Sequence, residues 1–168
     1  MDLIIDKAEV IDILREYDVI LPQKRNYYIE TVRKHYQHTQ YIKDLNTTEE
    51  IIRERCPSYI DSFNRVMGGK TVHLYNMFVM KKEDFNSYCE WLFDILFELE
   101  KRIDISNYSV FHARVYGFIS ELLLDVWLLE KNLKVKELKV INIDGVNWVK
   151  KISKFLIGKF TGYKFTNI

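Results

Sequence analysis

Between residues 85 and 103 apolar side chains recur at three- and four-residue steps (Phe85, Tyr88, Cys89, Leu92, Leu96, Leu99 and Ile103), the periodicity of a helix with one core face. Shorter patterns surround it. Residues 6–17 predict a brief helix, and "DVILP" (18–22) is a β-branched run closed by Pro22, as in a buried or edge strand. Helices are predicted over 27–41 and 47–55, the second capped by Thr47 or Thr48, and Pro57 opens another that stops at the Gly68-Gly69 pair. "TVHLYNMFVM" (71–80) predicts a buried strand, read as the central one. A helix over 109–131, a strand over 135–143 and a basic helix from Asn147 complete the order. Few strands separated by helical stretches predict a helix-rich α/β or α+β layer, with too few strands for a free-standing nucleotide-binding sheet.

Composition narrows this picture. The 168 residues, 48% hydrophobic and 14% aromatic, fit a single domain over 1–168 with a sizeable core. Two prolines and six glycines mark no internal boundary. A formal charge of +1 gives no general bias toward nucleic acid. Cys56 and Cys89 lack metal or redox spacing, Asp2 and Asp6 break any signal-peptide core, and no long uncharged apolar run follows, so a reduced cytoplasmic location is expected. After Asp144 no acid remains, whereas Lys150, Lys151, Lys154, Lys159 and Lys164 flank Trp148, Ile152, Phe155 and Leu156. The stretch 146–168 is thus a basic amphipathic tail, suited to the anionic inner face of a membrane or to a packing contact with a second protein chain.

The helix containing "FHARVYGFISELLLDVW" (111–127) carries the candidate chemistry. At about 100° per residue, Gly117, Glu121 and Asp125 fall at about 300°, 340° and 20° from Arg114, one narrow stripe. Val115, Ile119, Leu122, Val126 and Leu129 lie beside it as the core face, so the stripe can wall a cleft. A solvated face is the plain alternative. Against it, like charges at i,i+4 cost roughly 0.2–0.5 kcal/mol, and a mid-helix glycine costs about 1 kcal/mol unless something must approach closely. His112 precedes this stripe and joins the candidate ligand-facing residues. Asn76 lies among Leu74, Met77 and Phe78, where an unpaired amide costs roughly 1–3 kcal/mol, so it is bonded to a loop or faces a ligand. His73, an odd step away, points to the opposite face of a regular strand. His35 and His38 have a metal-compatible spacing, but no third ligand is near in sequence and no metal site is assigned. The tyrosines of "QKRNYYIETVRKHYQHTQY" suit either sugar stacking or core packing, and no Walker, dinucleotide or Ser-His-Asp pattern is present.

The segments "LPQKRNYYIETV", "HLYNMFVMKKEDF", "YCEWLFDILFELEKRIDISNYSVFHARVYGFISELLLDVWL" and "NWVKK" resemble, over almost the whole chain, the C-terminal part of a bacterial family of exopolysaccharide and capsular polysaccharide glycosyltransferases, long catalogued as a domain of unknown function. The resemblance implies a glycosyltransferase A type fold, a nucleotide-sugar donor and a saccharide or lipid-linked acceptor. It implies that Asn76 contacts the donor sugar and that Glu121 is the catalytic base. Arg114 is then placed to neutralise diphosphate or orient Glu121, with His73, His112, Gly117 and Asp125 as further donor or acceptor contacts. Phe118 departs from the family, which has arginine or another polar residue there. Members also carry, before the matching segments, a nucleotide-binding sheet with a His-Tyr-Arg-Arg-Tyr motif. The expectation is therefore a partial fold lacking that N-terminal half, and the alternative is a non-catalytic remnant or partner-binding module. No cofactor follows from the residues; a divalent cation such as magnesium or manganese stays open.

Overall fold

The computed structural model describes residues 4–141, which form a helix-rich α/β fold of six α-helices and a small sheet. Helix α1 (Lys7–Glu16) starts in a capping box: the Asp6 carboxylate accepts the Glu9 N–H at 2.9 Å, and the Glu9 carboxylate accepts the Asp6 N–H at 3.0 Å. No residue of α1 is buried. All four residues of β1 (Val19–Pro22) are. Strand β1 is the middle of the sheet, antiparallel to β4 (Val79–Met80) and parallel to β5 (Val135–Leu138), with Val19 opposite both Met80 and Val135.

The central strand is therefore "VILP", and the expected strand over 71–80 is two short pieces. Residues Thr71–Val72 are β3, paired antiparallel with β2 (Arg25–Asn26), and β4 resumes only at Val79. Between them Tyr75 and Asn76 take φ of 84° and 44°, left-handed conformations that no ladder sustains. The polar groups of this connection bond to a helix instead. The predicted helix over 27–41 is likewise shortened to α2 (Val32–Thr39), because Tyr28 turns left-handed (φ 55°) and its N–H goes to the Asn26 side chain at 2.7 Å. Thr31 then caps α2 through the Lys34 N–H, 3.2 Å away.

Helix α3 (Ile42–Arg55) starts earlier than predicted, so neither Thr47 nor Thr48 caps it; the buried Thr48 hydroxyl donates to the Asp44 carbonyl at 2.8 Å inside the helix. A 3₁₀ turn, Pro57–Tyr59, leads into α4 (Ile60–Gly68), where the Gly69 N–H closes the helix on the Arg65 carbonyl at 3.0 Å. Helix α5 (Lys82–Arg102) follows the predicted stripe and buries Tyr88, Leu92, Ile95 and Leu99, although Phe85 is left exposed. A 3₁₀ turn, His112–Arg114, precedes α6 (Val115–Glu130). Residues 122–128 of α6 are all buried, so this helix passes through the core, whereas Leu129, expected on the core face, is 36% exposed. Helix α6 packs against α4 and α5 around Phe63, Tyr88, Leu99, Ile119, Leu123 and Trp127. Strand β5 ends at Leu138, short of the predicted 143, and the basic tail 146–168 lies outside the described residues. No described helix is long and apolar enough to cross a membrane.

Candidate functional site

The connection at residues 73–78 lies along α6 and is bonded to it at three heights. The His73 N–H donates to Asp125 at 2.8 Å, the Tyr75 N–H donates to the Glu121 carboxylate, and the Asn76 amide donates to the Gly117 carbonyl at 3.1 Å. The Ser120 hydroxyl, buried beside them, reaches both the Asn76 side-chain oxygen at 3.1 Å and the Gly117 carbonyl at 2.8 Å. The chain thus climbs two turns of α6 in the opposite direction. This arrangement explains how two like charges coexist at i,i+4: Glu121 and Asp125 each have their own donors from the same loop.

Glu121 is half-buried, and that burial raises its carboxyl above the ordinary range, against the lowering effects of the Tyr75 N–H and the Arg114 charge. Arg114 is exposed, with its guanidinium 5.4 Å from the centre of the Phe118 ring, so that ring serves as a shelf for it. Gly117 is exposed, and a Cβ there would meet nothing within 4 Å, so no packing among the described residues requires glycine.

Tyr27 is near enough to Glu121 to feel its charge. Burial pushes its phenol up to about 12; Arg25 opposes the rise, and the Glu121 carboxylate adds to it. The Tyr27 ring stacks on His35 with centroids 3.9 Å apart and planes 16° from parallel. His35 Nδ1 and His38 Nδ1 lie 2.8 Å from different oxygens of the buried Glu30. Burial raises the Glu30 carboxyl, but these two imidazole bonds outweigh it and hold the group below its usual range. Glu30 thus holds both imidazoles, and His35 in turn supports the Tyr27 ring; no group of three His, Cys, Asp or Glu side chains among the described residues is arranged to hold a metal ion. A cavity of about 180 Å³ between Arg25, Leu74, Tyr75 and Val140 adjoins this wall.

The structure brings together Asn76, Arg114, Gly117 and Glu121. His73 and Asp125 bond to each other instead, with the ring Nδ1 on Asp125 Oδ1, one turn further along α6. His112 belongs to a different cluster. It is buried, its Nδ1 is 2.8 Å from the Ser109 hydroxyl, and its ring leans on Tyr41; nearby, the Tyr108 hydroxyl donates to Asp44 at 2.8 Å. Arg25, Tyr27, Glu30 and Ser120 were not singled out from the sequence. Only Tyr27 carried a signal, as an aromatic in a tract suited to sugar stacking.

The model of the domain of unknown function DUF4422 matches residues 1–132, and the chain belongs to that family. Its fold is also similar to a solved structure described as "WbbM bifunctional glycosytransferase apo structure", with a TM-score of 0.75 and 30% sequence identity. That match covers 79% of this chain and 25% of the other, so this chain spans about a quarter of the length of the structure it resembles. No curated protein matches the chain.

Proposed function

We propose that this chain forms part of a glycosyltransferase that moves a sugar from a nucleotide-sugar donor to a growing, lipid-linked surface polysaccharide at the inner face of a membrane. The observation that carries this reading is the half-buried Glu121, bonded by the Tyr75 N–H and close enough to Arg114 and Tyr27 to interact with both electrostatically, in a fold similar to a bifunctional glycosyltransferase. In the proposed step an acceptor hydroxyl attacks the anomeric carbon of the donor sugar and gives its proton to Glu121. The bond from that carbon to the diphosphate oxygen breaks, and the nucleoside diphosphate leaves with the electron pair. A carboxyl raised by burial holds that proton better than an ordinary one, which suits a general base. Arg114 is placed to offset the leaving charge. Asn76 and the open space over Gly117 offer the donor sugar an amide and close access to backbone.

The test is nucleoside diphosphate release over a panel of nucleotide sugars and acceptors. Glu121→Gln is expected to lower turnover by roughly 10²–10⁴-fold, the usual contribution of a general base, while donor-induced thermal stabilisation persists. Unchanged turnover would remove the base assignment.

A second reading is favoured by α1 and the residues just before it: α1 has no buried residue, its Ile11 is 47% exposed, and Ile4 and Ile5 ahead of it are 83% and 37% exposed. In that reading the chain is a non-catalytic module that binds another polypeptide through this face. The absence of stabilisation by any nucleotide sugar would favour it.

A further inference from the structure

The cavity of about 180 Å³ beside Tyr75 is lined by Gln23, Lys24, Arg25, Leu74, Tyr75 and Val140. It adjoins the place where Glu121 lies, because the N–H that bonds the Glu121 carboxylate belongs to Tyr75. Its four polar residues are all exposed, so a ligand reaches them without opening the fold. The backbone holds the two cations in place: Arg25 is paired with Val72 across β2 and β3, and the Lys24 N–H donates to the Glu137 carboxylate at 3.4 Å. Their side chains stay free. Neither the Lys24 ammonium nor the Arg25 guanidinium enters an ion pair among the described residues. Arg25 is near enough to Tyr27 for its charge to oppose the rise of that phenol, and Tyr75 is near enough to add to it, so cation, tyrosines and Glu121 form one neighbourhood.

The wall selects by the kind of hydrogen bond it offers. Each of its polar side chains can donate: the Gln23 amide, the Lys24 ammonium, the Arg25 guanidinium and the Tyr75 hydroxyl. Among the described residues no carboxylate lines the cavity. A cation is repelled by both charges, and a neutral ligand leaves both unpaired. A carboxylate has two oxygens, which a single guanidinium fork already engages. A diphosphate group carries more charge and more acceptor oxygens, enough to take the Arg25 fork and the Lys24 ammonium together. Leu74 and Val140 offer apolar contact to whatever that group is attached to. We propose that this cavity binds the diphosphate group of a substrate, with Lys24 and Arg25 as its charge partners. The binding stands on the cavity alone, whereas its role rests on the transferase reading: the diphosphate lies on the Tyr75 side of Glu121, and its charge is met by Lys24 and Arg25 as well as by Arg114. Such a group comes from the nucleotide of a donor or from a lipid-linked acceptor, and the probes separate the two.

The experiment is a calorimetric titration of the full chain with inorganic pyrophosphate, with acetate as the carboxylate contrast and the Tyr75 ring followed by chemical shift. Pyrophosphate is expected to bind saturably and to move the Tyr75 ring, and acetate at the same concentrations to do neither. Lys24 and Arg25 are exposed, so Lys24→Ala and Arg25→Ala keep the fold, which far-ultraviolet ellipticity checks. Each is expected to weaken pyrophosphate by roughly ten- to a hundredfold, the loss of one hydrogen bond to a charged group. Lys34→Ala, which removes an exposed lysine of α2, leaves the affinity unchanged, and Glu121→Gln does not weaken it. Uridine and guanosine diphosphates are then compared with geranyl diphosphate: tighter binding by a nucleotide assigns the group to the donor, and tighter binding by the prenyl compound assigns it to the acceptor. No saturable binding of pyrophosphate, parental affinity in both cavity variants, an equal loss in Lys34→Ala, or acetate bound as tightly as pyrophosphate would each overturn the proposal. Because this site is read by binding and Glu121→Gln by turnover, failure of one leaves the other standing.

Discussion

Glu121 has a pH signature that does not depend on knowing its substrate. Its carboxyl is raised in the folded protein, so the fold binds this proton more tightly than the unfolded chain does. The linked stability is fully present below the unfolded value of 4.5 and is lost as pH rises from there through the raised folded value. Glu121→Gln cannot ionise and escapes that loss. At pH 7 the variant is expected to unfold at a higher urea concentration than the parent, and near about pH 4 the two curves should converge. Glu30 contributes with the opposite sign, since its depressed carboxyl loses stability as pH falls, but it does so equally in both proteins and cancels from the comparison. A variant that is more stable and less active is the behaviour of a group kept for its chemistry. Equal midpoints at pH 7 would mean that burial costs Glu121 nothing.

On the scale of the element, Gly117 separates the needs of helix α6 from those of a ligand. Its backbone is helical and a Cβ there would meet only open space, so Gly117→Ala is expected to stabilise the protein by about 0.5–1 kcal/mol, measured by denaturant melts. The same methyl group would intrude on a donor sugar approaching the Gly117 carbonyl, so donor-induced stabilisation should fall in the variant. The polar stripe of α6 was legible because helical geometry alone aligns Arg114, Gly117, Glu121 and Asp125. Its partners were not. Asn76 was recognised as needing a bond, yet its acceptor at Gly117 and its neighbour Ser120 are 41 and 44 residues distant in sequence, with no periodicity linking them. The strand predicted over 71–80 failed for a related reason: β-branched and aromatic residues favour a strand, but Tyr75 and Asn76 turn left-handed so that the loop can satisfy its polar groups on α6. The early start of α3 was hidden because no side chain caps it and its Asp44 and Thr48 are buried.

For the whole molecule, the helices α2–α6 and strand β1 contribute to one continuous core, so the described residues are expected to unfold as a unit. Tryptophan emission and far-ultraviolet ellipticity should trace the same urea transition, with Trp127 at the centre of that core. Separate transitions would show that the layer formed by β1, β4 and β5 holds independently of the helices. The helical layers were legible from periodicity, whereas the sheet order was not, because pairing β1 with both β4 and β5 joins residues far apart in the chain. The loop over 73–78 has a mechanical consequence. Its bonds to Gly117, Glu121 and Asp125 make it a latch fastened along a graduated rod, and the two carboxylates are set about 6 Å apart in helical rise. A ligand that pulls the latch from Glu121 also strains its fastening at Asp125. Any energetic coupling between the two positions must therefore be reciprocal, each occupant altering the grip on the other by the same factor.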